Sequence, residues 1–344
     1  MATHFSTSSV GAHGEDDHVP EWYSKCCADL SKKPAKSGAS STRLGVMRAT
    51  LTNADRLWDN GSTISFTFVR PAGTRIQQEK VKTVIKEWER YANIKFQFTT
   101  SRSATIRISF DTTDGSWSYV GKDILSIQRN WATMNFGWVS ERQGITEEDR
   151  GVILHEFGHT LGYLHEHQNS RRGENLTLDE QAVIEYFMRT QGWTEPDVRQ
   201  QILNVYNDNE VSNFSAIDTT SIMMYFMPAE MNVERIEIKP NNKLSALDKA
   251  FAFLNYPFLG STASVDPTVN VTTSIATIGI EGEFKDAVLS EFNEGDWDGL
   301  RDEFTRWSLN EKAKAVAAKI HAEREKAKAE AGAPSAEGEQ AVLA

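Results

Sequence analysis

The sequence predicts an α+β fold, with a mixed, twisted sheet in its first half and a mostly helical second half. Three observations carry this expectation. Short apolar/polar alternations follow one another after residue 60, a single amphipathic helix interrupts them, and beyond Thr146 the apolar period lengthens from two residues to that of a helix.

Residues 1–53 are rich in Ser, Ala, Gly, Lys and His with little periodicity, and read as an N-terminal tail or pro-segment. Order is expected to begin near Trp58. In residues 63–69, Ile64, Phe66 and Phe68 share one face, a strand pattern that Pro71-Ala72-Gly73 ends. Val81, Val84, Ile85, Trp88 and Ala92 recur at helical spacing across 77–92. Strands are expected around Ile94–Phe98 and Ile106–Phe110, and further short ones at 124–127 and 134–138; residues 115–121 read as a turn-rich loop. Thr146, followed by Glu147, Glu148 and Asp149, starts a helix that sends Val152, Ile153, Leu154 and Phe157 to a core. Capping boxes at 177–180 and 245–248 announce two more helices. Residues 261–277 are Thr/Ser/Val-rich and read as linker or a loose strand pair. Trp297, Leu300, Phe304 and Trp307 lie on one helical face, which is expected to pack on the preceding domain, and 310–331 continue as an Ala/Lys/Glu helix. The organisation read from this is a tail at 1–53, a catalytic domain at 54–258, and an acidic linker with a C-terminal helical extension at 259–344.

Composition narrows the function. The 344 residues carry a formal net charge of -11, which argues against nucleic acid as a partner, since phosphate binding calls for a basic surface. No run approaches the roughly 18 apolar residues of a membrane span. The first thirty residues hold no apolar core of a secretory signal, and the only cysteines are the neighbours Cys26 and Cys27. Both features favour a reducing, cytoplasmic setting, with leaderless export as the other reading.

His155 and His159 stand four apart, so a helix places them one turn above the other on the same face. Two imidazoles so placed can share one zinc ion. Glu156 is rotated about 100° from His155, beside the metal rather than on it, where a carboxylate can take a proton from water activated by zinc. A catalytic zinc takes a third protein ligand and keeps a fourth position open. His165 can be that ligand if Gly162, in a left-handed conformation, ends the helix and turns the chain back.

The run from His155 to His165, His-Glu-x-x-His-x-x-Gly-x-x-His, resembles the signature of the metzincin peptidases, and with Glu166 it is most similar to the astacins. Ser221-Ile222-Met223-Met224-Tyr225 matches the second astacin element, Ser-x-Met-x-Tyr. The resemblance implies a metzincin fold, one catalytic zinc on His155, His159 and His165, Glu156 as base, Met223 beneath the metal, and Tyr225 as a donor to the oxyanion. It also implies a protein or peptide substrate that pairs with an edge strand, placed here around residues 122–127. The chain departs from the family pattern in having no cysteine within residues 54–258 and in carrying Met224 where a histidine is usual.

The expected function is therefore that of a zinc-dependent endopeptidase. Two other readings compete with it: a zinc amidase or peptidase limited to short peptides, and a non-catalytic zinc-containing interaction module. Cys26 and Cys27 read as free thiols of the tail, with a thiolate on the metal of a latent enzyme as the alternative. His167 is expected to line the cleft or face solvent rather than bind metal. Oligomeric state is left open.

Overall fold

The structure, a computed structural model, describes residues 27, 56–169, 171–174, 176–205, 217–258 and 266–332. The N-terminal tail apart from Cys27, Cys26 included, lies outside the described residues, as does the end of the C-terminal segment.

Strand β1 (Thr63–Phe68) carries Ile64 and Phe66 into the core, as its alternation requires. Helix α1 (Arg75–Val84) starts at a capping box of Thr74 and Gln77, and a tight 3-10 turn over Ile85–Arg90 continues it, so the predicted helix is realised in two parts. Strands β2 (Lys95–Phe98) and β3 (Ile106–Ser109) follow, then β4 (Ser116–Ser118) and β5 (Met134–Phe136). The sheet order is β2-β1-β3-β5-β4; β4 alone runs antiparallel, which makes the sheet mixed.

Here the structure corrects two expectations. An edge strand, β4, lies inside the stretch read as a turn-rich loop, and Gly121–Ser126, where an edge strand was expected, form a 3-10 helix. Gly121 takes φ 49°, and a Cβ there would lie 2.4 Å from the Arg56 carbonyl oxygen, so the chain turns close against residue 56 instead of extending.

Helix α2 (Glu147–Thr160) packs beneath the sheet. Its capping box of Thr146 and Asp149 is formed as expected. Asp149 also meets the Lys80 ammonium at 2.7 Å in an ion pair that is almost fully buried, and Lys80 donates as well to the Ser140 carbonyl and hydroxyl, each at 2.8 Å. Burial pushes the Asp149 carboxyl up, but Lys80 and the N–H groups of Ser140 and Thr146 outweigh it and hold the pKa below its ordinary value of 3.8. Lys80→Met should cost about 3–5 kcal/mol at neutral pH, because it strands a buried carboxylate. The stability that this depressed pKa contributes is present above 3.8 and is lost as pH falls through the lower folded value. Denaturant melts of the two chains should therefore differ at pH 7 and converge in acid; equal midpoints at pH 7 would show that the pair contributes nothing.

The main core joins both faces of this helix to the sheet. Phe157 meets Phe96 edge-on at 5.0 Å and stacks with Phe136 at 6.3 Å. Two side chains satisfy carbonyls at the C-terminal end of α2, Trp58 Nε1 donating to Thr160 and the Tyr256 hydroxyl to Leu161, while Trp88 Nε1 donates to Leu154 in its middle. The helix that must hold the ligands is thus fixed at its end as well as its start.

Helices α3 (Glu180–Gln191) and α4 (Glu195–Val198), with a π turn at Arg199–Leu203, gather a second apolar cluster around Leu176, Val183, Phe187, Ile202 and Met231. The N-cap of α3 is Asp179, which accepts from the Ala182 N–H, rather than Thr177. Helix α5 (Ala246–Asn255) begins at the expected Ser245 capping box. Of residues 261–277, those up to 265 lie outside the described residues, and the rest depart from expectation: Val271–Ile278 form helix α6, capped by Asn270 and Thr273. Helices α7 (Gly282–Glu294) and α8 (Trp297–Gly332) complete the described chain. Leu300, Phe304 and Trp307 of α8 join Phe253 and Leu254 of α5 in a third apolar cluster, and Arg301 donates to the carbonyls of Asn255 and Trp58. Among the described residues no helix is long and apolar enough to cross a membrane.

Candidate metal centre and cleft

Helix α2 presents His155 and His159 on one face, their rings 4.9 Å apart between centroids. At its end Leu161 is the C-cap, and Gly162 takes φ 100°, a conformation that glycine adopts at little cost. The Tyr163 N–H then donates back to the Gly158 carbonyl at 3.0 Å, and the chain returns His165 to the other two histidines. Nε2 of His159 and Nε2 of His165 lie 3.1 Å apart.

Carbonyl groups fix how these rings face. Nδ1 of His155 donates to the Ile222 carbonyl at 2.8 Å, and Nδ1 of His159 to the Tyr163 carbonyl at 2.8 Å. With Nδ1 protonated in both, each Nε2 turns a bare lone pair inwards. Burial and then the neighbouring His159 lower the His155 pKa to about 3, so its ring is neutral at physiological pH. Lone pairs converging at these distances repel unless a cation lies among them. The donor set therefore fits a zinc ion.

The floor of the site is the turn at Ser221–Met224. Met223 packs under α2 so closely that a Cβ on Gly158 would lie 2.6 Å from its sulfur, and its carbonyl accepts from the Glu166 N–H. Asp248, the acidic member of the α5 capping box, ties this turn down. Its carboxylate accepts from the Ser221 hydroxyl at 2.7 Å and the Ile222 N–H at 2.8 Å, while its own carbonyl accepts from the Tyr163 hydroxyl at 2.7 Å. The sequence showed the cap but not this second use. The two histidine-orienting carbonyls likewise had no sequence signal, since any residue supplies one.

Glu156 is buried, and its Oε2 has no hydrogen-bond partner among the described residues. Burial holds its pKa well above the ordinary value, against a lowering contact with Cys27. The Tyr225 hydroxyl stands 3.0 Å from Nε2 of His165. His167 is neither on the surface nor a ligand. It is fully buried, donates from Nε2 to the Gln201 carbonyl at 3.0 Å, and packs its ring on Tyr225 at 4.3 Å.

Cys27 corrects the reading of a free tail thiol. Its Sγ lies 3.1, 3.5 and 2.9 Å from Nε2 of His155, His159 and His165, and 3.4 Å from the Tyr225 hydroxyl. The four ligand atoms all fall within 4.8 Å of one another, a spread that one tetrahedral ion can serve. The Tyr225 hydroxyl also donates to the Cys27 carbonyl. A small depression opens beside this cluster, between α2 and the chain after the methionine turn.

A sheet laid over a helix that carries two histidines and a neighbouring carboxylate, with a third histidine returned by a glycine and a methionine beneath, is the arrangement of the metzincin fold. The family model Astacin (Peptidase family M12A) matches residues 50–251, and the chain belongs to that family. Tolloid-like protein 2 of Mus musculus is 27% identical over 138 residues, which are 39% of this chain and 12% of that protein. Astacin-like metalloprotease toxin 1 of Loxosceles intermedia is 28% identical over 128 residues, 37% of this chain and 43% of the toxin. The chain thus spans less than half the length of these curated relatives. Among solved structures, that of myroilysin is similar at a TM-score of 0.56 and 35% sequence identity, over 60% of this chain and 98% of that one.

Proposed function

We propose that this chain is an endopeptidase that cleaves internal peptide bonds at a zinc site formed by His155, His159 and His165, and that Cys27 keeps it latent. The observation that supports the reading best is the convergence of three inward-facing Nε2 atoms next to the buried, unpartnered Oε2 of Glu156.

Zinc bound there supplies Lewis acidity toward a carbonyl oxygen and makes water acidic near neutral pH. The rest falls to the chain. Glu156 accepts the proton of the attacking water and delivers it to the leaving amine, a task that needs an oxygen not engaged elsewhere. Tyr225 swings its hydroxyl from Cys27 and His165 to the developing oxyanion and donates to it there. Met223, packed against Gly158, keeps the two histidine-bearing turns of α2 at a fixed height above the floor. A purely structural zinc site would have no use for Glu156, whose buried Oε2, without a partner among the described residues, costs stability. That cost weighs against the interaction-module reading.

Cys27 occupies the place a substrate carbonyl needs. A thiolate is a strong zinc ligand, so its release must precede turnover. The Cys27→Ala chain should bind one zinc ion, cleave unfolded protein substrates, lose that activity to a chelator and regain it with added zinc. A zinc-loaded chain that cleaves only dipeptide amides, or nothing, would overturn the endopeptidase reading.

A further inference from the structure

Away from the metal centre, three segments at one end of the sheet enclose a cavity of about 630 Å³, a size suited to a small ligand. It is lined by Thr67, by Arg70 just beyond β1, by Arg102 and Ser103 of the loop before β3, and by Arg129 and Asn130 of the loop before β5. Thr67 stands in register with Arg107, and both alternate with the core residues Phe66, Ile106 and Ile108, so they lie on the opposite face of the sheet from that core. Among the described residues no acidic side chain lines the cavity, and none of the three lining guanidinium groups donates a hydrogen bond or forms an ion pair. In a chain of net charge -11 this is a local excess of positive charge. The buried Arg107 supplies the frame. Its guanidinium donates to the Ala104 and Thr105 carbonyls of one loop, each at 3.2 Å, and to those of Ile127 at 3.2 Å and Trp131 at 2.6 Å on the other. The backbones that carry Arg102 and Arg129 are thus tied to one side chain beneath them. Burial, and then the like charge of Arg129, lowers the Arg107 pKa from the ordinary arginine value.

We propose that this cavity binds a compact polyanion, a small molecule bearing two or more phosphate or sulfate groups. The site is separate from the peptidase reading and stands or falls without it. Each guanidinium presents a planar fork of donors that matches two oxygens of a tetrahedral oxyanion. The hydroxyls of Thr67 and Ser103 and the amide of Asn130 can add neutral hydrogen bonds. A ligand with a single negative charge leaves two of the three arginines unmatched, so the site favours multiply charged ones. Because the loops are already held by Arg107, binding has mainly the arginine side chains to order. A nucleic acid fits less well, since it needs a basic track along its backbone and three arginines around one cavity do not make one.

The test is calorimetric titration of the zinc-loaded, full-length chain with glucose 1,6-bisphosphate and with a disulfated disaccharide, the unsubstituted sugars serving as blanks. Metal analysis afterwards verifies that zinc stays in place. One molecule of at least one probe should bind per chain, more weakly as salt is raised. Whichever probe binds tighter names the source of the anion, a phosphate ester or a sulfated sugar. Arg102→Ala and Arg129→Ala should each weaken binding about tenfold or more, the worth of a charge-assisted hydrogen bond. Arg129→Lys, which keeps the charge but loses the fork, should fall between. Arg189→Ala, the same charge change on the surface of α3, should alter nothing. No binding of either probe overturns the proposal, as does binding that survives Arg102→Ala and Arg129→Ala or is weakened as much by Arg189→Ala. Tighter binding of a single-stranded oligonucleotide than of both probes overturns the choice of a compact ligand. If the variants fail to fold, phenylglyoxal labelling of the wild-type chain decides: bound probe should shield Arg102 and Arg129, and equal labelling with and without it overturns the site.

Discussion

Replacing Glu156 with glutamine is expected to leave zinc binding at one ion per chain and to lower turnover by about 10²–10⁴-fold, the contribution of a positioned general base. Glutamine preserves the volume of a side chain packed in a fully enclosed place, so the fold and the three histidines should be undisturbed. What it removes is the oxygen that can carry a proton. In the folded chain that oxygen has no partner among the described residues. The loss should appear in kcat far more than in KM, because Glu156 acts on the reacting atoms and not on ground-state contacts. Metal analysis, a melt, and steady-state rates, all on the Cys27→Ala background, check the three parts of this expectation. Undiminished turnover would remove Glu156 from the mechanism.

Removing the Cys27 thiol from the intact chain should raise peptidase activity by about a hundredfold or more. The magnitude follows from population: if the thiolate leaves the metal less than 1% of the time, apparent activity is reduced by that fraction. The geometry favours so small a fraction. Sγ is within 3.5 Å of all three Nε2 atoms, and the Cys27 carbonyl is held by the same Tyr225 hydroxyl that is proposed to donate to the oxyanion. A single contact thus occupies both the metal position and the oxyanion donor. Cys26→Ala, one residue away, serves as the control and should leave latency in place. Equal activity of the wild-type and Cys27→Ala chains, both loaded with zinc, would show that the thiol does not restrain the enzyme.

How much of this was legible in the sequence depends on how local the signals are. Helix α2 was read at its start from Thr146 and Asp149, and its turn at Gly162 from the need to return His165; both are decided within a few residues. The strands around Ile64, Phe96 and Ile108 were read from alternation for the same reason. Strand β4 has only three residues, too few for an alternation to show, and it pairs because β5 lies beside it. Helix α6 carried a usable signal, Asn270 three residues before Thr273, which its Thr- and Val-rich composition obscured. Cys27 on the metal was within reach only as the alternative to a free thiol. It meets His155 across 128 residues, and no periodicity or cap encodes a contact at that separation. His167 was misplaced because its burial is decided by the π turn at Arg199–Leu203, whose position no local pattern reveals.

The carboxylate of Asp248 gives the C-terminal helices a bearing on the metal. It holds the Ile222 N–H from α5, and the carbonyl of that same residue orients the His155 ring. The opposite side of α5 is seated on α6 and α8 through Phe253, Leu254, Leu300 and Phe304. Trimming the protein to its family-matching portion would therefore unseat the beam from which one ligand is suspended. Ion affinity in this chain is thereby mortgaged to packing that takes place beyond the peptidase homology itself.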